Sequence, residues 1–171
     1  MASNVKAGTM TVTIKEDINL NGVARGGNNT LNIANVAQVH RRVIDCIHST
    51  SVTVFESHAS AEGLDTFHDV DVKYIRVTNL DNSAHCYLQC YDAGGNVSFR
   101  LDPGCSHIFM APLEGSTDRA TLTGVDDYSD VGGGAGSTLV AFTKIDVEAV
   151  QEGSAATIVP IEVFVASAAA S

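Results

Sequence analysis

Between Val72 and Ser106 the chain alternates, breaks and alternates again. Val72, Tyr74, Arg76 and Thr78 fall on one side of an extended backbone, and Lys73, Ile75 and Val77 on the other. Asp81-Asn82-Ser83 ends the first run, Gly94-Gly95 interrupts the next, and Asp102-Pro103-Gly104 closes the third. Strand and turn signals at this spacing predict antiparallel β structure.

The same pattern extends outward. Thr9 to Lys15 alternates cleanly and is the first expected strand. Ile18 to Gly22 reads as a short strand entering a turn, and Gly26-Gly27-Asn28-Asn29 as a second turn before Leu31-Asn32-Ile33. Val36 to Ile47 places Val36, Val39, Val43, Ile44 and Ile47 at positions that suit a helix face about as well as a strand. Its branched residues favour a strand from Val39 onward. Ser51 to Glu56 is a further β run, and Ala59 to Asp69 a polar loop. Strands are expected at Ser106 to Met110, Ala120 to Val125, Thr138 to Val147 and Thr157 to Ala166, with a flexible loop at Asp126 to Gly136. A short arm (residues 1 to about 8) and a tail (about 167 to 171) flank them. No internal repeat or dividing linker is visible. About ten short strands in one stretch predict a single all-β domain, an antiparallel β-sandwich or a jelly-roll-like fold.

Composition supports a packed domain. The chain has 171 residues, 44% of them apolar, and no Trp, so small and branched side chains must fill the core. Twenty acidic side chains against ten basic ones give a formal charge of −10. That disfavours direct contact with nucleic acid, which needs clustered Lys and Arg, and with an anionic membrane surface. The opening residues Met1 to Lys6 contain no apolar signal segment, and no apolar run approaches the roughly 20 residues of a membrane span. Synthesis in a cytosol is expected.

Cys86 and Cys90 invite a metal or a disulfide, but on a strand they lie on one face about 13 Å apart, too far for either. Those two, with Cys46 and Cys105, are expected to be free thiols. Gly132 to Thr138 lacks the Lys of a phosphate loop, and Gly22 to Gly27 lacks the strand–turn–helix setting of a dinucleotide site. The histidines at 40, 48, 58, 68, 85 and 107 form no ligand pair; His40 or His48 with Asp45 would need a nucleophile turn that is missing. Asp126, Asp127 and Asp130 could gather calcium, as could Asp65, Asp69 and Asp71, but neither spacing matches a known loop. Glu16/Asp17 and Asp126/Asp127 are adjacent, so on strands they point apart. No catalytic residue, no cofactor and no metal is expected; the protein is not expected to be an enzyme.

Four segments carry a resemblance. They are Ile14-Lys15-Glu16-Asp17-Ile18-Asn19-Leu20-Asn21-Gly22, Val72 to Asp81, the Leu101-Asp102-Pro103-Gly104 turn, and Ile161 to Ser167. Together they resemble small structural proteins of tailed bacteriophages, marine ones especially. The resemblance implies a β-sandwich virion component present in many copies, with no enzymatic residues. An acidic surface suits the outside of a shell, and exposable strand edges suit assembly. A capsid decoration (cement) protein is therefore expected. It would bind the major capsid protein, form a homo-oligomer (a trimer, given the symmetry of shell sites) and reside in the virion after assembly in the host cytoplasm. The alternatives are a tail or connector component, such as a tube, adaptor or fibre-base protein, and a carbohydrate-binding attachment module. The lack of Trp weakens the last.

Overall fold

The alternating segments become strands in a computed structural model that describes residues 6–58, 67–68, 71–91, 96–110, 143–150 and 157–168. Twelve strands and no helix lie among the described residues. They are β1 (Gly8–Lys15), β2 (Asn19–Leu20), β3 (Val23–Ala24), β4 (Asn28–Ile47), β5 (Val52–His58) and β6 (Phe67–His68). Next come β7 (Val72–Asn79), β8 (Cys86–Tyr91), β9 (Asn96–Leu101), β10 (Ser106–Met110), β11 (Lys144–Ala149) and β12 (Ile158–Ala168).

Two five-stranded sheets run in the orders β1-β4-β12-β7-β10 and β6-β5-β11-β8-β9, and β2 and β3 form a small hairpin. Every pairing is antiparallel except β5 with β6. Without the edge additions β1 and β6, the chain passes from β4 to β5, to β7, to β8 and β9, then to β10, β11 and β12, changing sheets at each step but β8 to β9. That is the strand order of a jelly roll.

Burial explains which strands alternate. β12 sits between β4 and β7, so both of its edges are hydrogen-bonded, and side chains on both of its faces are buried. Val159, Ile161, Val163 and Val165 fill the space between the sheets, while Ala166 and even Glu162 are buried on the outer side. The inter-sheet core continues through Cys46, Phe55, Val77, Leu88, Ile145 and Val147. β9 lies at an edge and keeps an exposed face, so it retains the period-two pattern.

One end of the sandwich is tied by Asn79, which is fully buried. Its Nδ2 donates to the carbonyls of Ala84 (2.9 Å) and Leu101 (3.2 Å), and its Oδ1 accepts from the Asp81 amide (2.9 Å). Asp81 then accepts from the amides of Ser83 and Ala84, both at 2.7 Å, which draws its carboxyl below the usual range. The β7–β8 and β9–β10 crossovers are thus fastened to one side chain.

Cys86 and Cys90 both face the core from β8, as strand spacing requires. Burial pushes each thiol up to about 12, and Cys46 up to about 11 with help from nearby Asp45.

The expected boundaries need correction in four places. The turn expected at Gly22 is present, at Asn21-Gly22, but Asn28 and Asn29, expected in a second turn, already belong to β4. Val36 to Ile47 is strand throughout, because β12 pairs with it along nearly its whole length. Phe67-His68, placed in a loop, pairs in parallel with Ser57-His58. Ser167 and Ala168, placed in the tail, continue β12. The expected strand at Ala120 to Val125, the Asp126 to Gly136 loop and residues 138–142 lie outside the described residues.

Candidate interaction surface

Residues 8–35 form one long antiparallel ribbon, and its construction follows from local chemistry. Met10, Val12 and Ile14 alternate with Thr9, Thr11 and Thr13 along β1. The register sets Met10 beside Ile33 and Val12 beside Leu31, so the ribbon has an apolar face. Its other face is polar: Thr11 Oγ1 donates to Asn32 Oδ1 at 2.9 Å, and the hydroxyls of Thr13 and Thr30 meet at 3.3 Å. Cross-strand pairs of this type stabilise a ladder.

Beyond β1 the two strands stay together. The Glu16 amide donates to the Gly27 carbonyl at 2.8 Å, and the Arg25 amide to the Ile18 carbonyl at 2.7 Å. A Cβ on Gly26 would stand 2.1 Å from the Glu16 carbonyl oxygen, so only glycine fits where the strands close up. At the tip, Asn21 (φ 53°) and Gly22 (φ 81°) supply consecutive left-handed residues, the requirement of a tight hairpin turn. An open concavity of about 380 Å³ lies beside this waist, lined by Ile14, Glu16, Gly27, Asn28 and Asn29.

Among the described residues, only the base of the ribbon is seated. There Met10, Val12 and Ile33 pack on Val36, Tyr74 and Ala166, and Tyr74 meets Phe164 edge-on with ring centroids 5.9 Å apart. Register shifts between Gly8 and Met10 and between Ser167 and Ala168, with Asn35 at φ 60°, bend β4 where the ribbon leaves the sandwich. Past that bend Ile14, Ile18, Leu20, Val23 and Leu31 are exposed, Leu20 at 59%. Further along β4, Val39 (58%), Val43 and Ile47 are exposed in a row with Ile158, which pairs with Ile47.

Beside that row sits a buried acid. Glu162 accepts Arg41 Nε on Oε2 at 2.6 Å and a terminal nitrogen of Arg76 on Oε1. The Arg41 hydrogen bond, with Arg76 assisting, holds its carboxyl below the ordinary value. Arg76 also lies over the Phe164 ring, 5.7 Å from the centroid. The outer face of the second sheet differs: Asp146 accepts Thr53 Oγ1 and Lys144 Nζ, both at 2.8 Å, and Lys144 stands over the Tyr91 ring.

Asp126, Asp127, Asp130, Asp65, Asp69 and Gly132 to Thr138 lie outside the described residues, and Asp71 is buried at the start of β7. His40 packs edge-on against Phe67 with centroids 6.0 Å apart, and Asp45 stands on the opposite face of the same strand. His48 Nδ1 accepts the Thr157 amide at 3.1 Å. Among the described residues no three His, Cys, Asp or Glu side chains are grouped to hold a metal. The chain matches no protein-family model, no curated protein and no solved structure. The Glu162 cluster escaped the sequence because its members stand at positions 41, 76 and 162, with no local motif to join them.

Proposed function

We propose that this protein is a capsid decoration protein that binds the assembled major capsid protein lattice of its virus and stabilises it. A jelly roll by itself serves capsid, lectin and enzyme domains alike, so the reading rests on surface features. The observation that carries it is the long ribbon with apolar side chains held in solvent, a feature suited to lying along a neighbour. The charge of −10 and the resemblance of four segments to phage virion proteins agree with it.

The mechanism is mass action. A ligand that binds the lattice and not its free subunits shifts the equilibrium toward the lattice. Virions stripped of this protein should release DNA at lower temperature or lower salt, and adding purified protein back should restore the original threshold. Equal heat resistance with and without the protein, or its location in the tail by immunogold labelling, would overturn the proposal.

A further inference from the structure

We propose that the open edge of β4, residues 37–47, pairs antiparallel with the same edge of a second copy of this chain, joining two first sheets into one across a twofold axis at Val43. Such a pair does not depend on the capsid reading, and it is twofold where shell symmetry led to the expectation of a trimer.

β1 pairs with β4 only from Asn28 to Val36. On the side away from β12, no described strand pairs with residues 37–47. From Gln38 to Ile47 the strand runs in regular register along β12, with no bulge and no Pro. A long, regular edge with open amides and carbonyls is a template for another strand. Its outer face bears the exposed apolar residues Val39, Val43 and Ile47.

The order of side chains selects a second copy as that strand. Along the outer face the edge reads Val39, Arg41, Val43, Asp45, Ile47. Reversed about Val43 the order is apolar, acidic, apolar, basic, apolar, so the row is complementary to itself. Antiparallel pairing sets Val39 against the partner's Ile47, Arg41 against the partner's Asp45, and Val43 against the partner's Val43. The paired span, Val39 to Ile47, lies within the open stretch. Such a contact is isologous and closes as a dimer. The ionic groups of the single chain are also out of balance on this face. Glu162 serves both Arg41 and Arg76, which leaves one positive charge over. The exposed Asp45 carboxylate meets no cation among the described residues. In the pair Arg41 lies between Glu162 and the partner's Asp45, and two cations face two carboxylates at each junction. On the inner face the charged and polar residues are held within their own chain: His40 packs on Phe67, and Arg42 Nη2 donates to the Val54 carbonyl at 2.9 Å.

Val43→Lys and Val43→Glu each place like charges face to face at the axis, on a side chain that is 56% exposed in the single chain. Sedimentation equilibrium of the intact chain should show a dimer for the natural sequence. Each variant alone should associate at least about tenfold more weakly, with an unchanged far-UV circular dichroism spectrum. Mixing the two variants should restore dimers, because opposite charges then meet at the axis. Asp45→Arg, at an exposed position, should weaken the natural dimer as well, since it sets a cation against Arg41. Hydrogen exchange at the β4 amides between Val39 and Ile47 that face away from β12 should be slow in the dimer and fast in either Val43 variant alone. A natural protein that stays monomeric, a dimer that either Val43 variant or Asp45→Arg leaves intact, or a mixture of variants that fails to pair would each overturn the proposal. Edge amides that exchange equally fast in dimer and monomer would overturn it too, because the contact would then lie on another face.

Discussion

Arg41 on β4 and Glu162 on β12 are joined across the outer face of the first sheet, with Arg41 Nε 2.6 Å from Glu162 Oε2. The carboxylate is almost fully buried, whereas the Arg41 side chain is 67% exposed. The acid therefore depends on the pair more than the base does.

Glu162→Gln should lower stability at pH 7 by about 1–2 kcal/mol, the range for a lost charge-assisted hydrogen bond whose partner can return to water. The carboxyl is held below its ordinary value of 4.5 in the folded state. A depressed carboxyl stabilises the fold above its unfolded value, and that contribution fades as pH falls through the folded value. The difference between natural and variant proteins should thus be full at pH 6 and shrink progressively below about pH 4.5. Urea midpoints measured at pH 7 and pH 3.5 would show this; an equal difference at both would rule it out.

Asn79→Ala should destabilise the sandwich by about 2–3 kcal/mol, because the Ala84 and Leu101 carbonyls lose their donor in a buried place. The cooperative urea transition should move to a lower midpoint with no change of slope. A shift within the error of the measurement would show that the turns hold without this hub.

A thiol reagent should find one prompt site and three late ones. Cys105 is exposed, and Cys46, Cys86 and Cys90 are buried with their thiols raised to between about 11 and 12. Thiolate is the reactive form, so the buried three should react only as fast as the chain opens. Quantitation should give one equivalent in the folded protein and four in denaturant. Prompt reaction of two or more would contradict the packing.

Gly26→Ala should loosen the ribbon and spare the sandwich. The added methyl would collide with the Glu16 carbonyl, and the nearest ladder bonds are the only casualties. Hydrogen exchange should accelerate at residues 16–27 while the amides of β7 and β12 keep their protection. Uniform acceleration across the protein would mean that the ribbon is part of the global folding unit.

Much of this architecture was legible where one strand face is wet and the other dry. β7 shows Ile75 and Val77 inside against Arg76 and Thr78 outside, and β9 keeps its period too. β4 was ambiguous because its outer side mixes Val39, Val43 and Ile47 with Arg41 and Asp45, a mixture that imitates a helix stripe. Two-residue β6 offers no period at all. Composition misled at Gly26-Gly27, since a glycine needed for close approach looks the same as one needed for a turn. The apolar side of the ribbon was visible in Met10, Val12 and Ile14; that nothing in the chain's own described residues covers its far half depends on tertiary geometry.

The central place of β12 also orders events in time. A nascent chain that has reached Met110 carries β4 and β7 with no strand between them, because their common neighbour is residues 158–168. The first sheet cannot close until that segment has left the ribosome, so its pairing spans more than a hundred residues of intervening chain. Long-range closure of this kind makes folding slow. It also means that a half-made chain carries β4 and β7 with unpaired edges until residues 158–168 emerge.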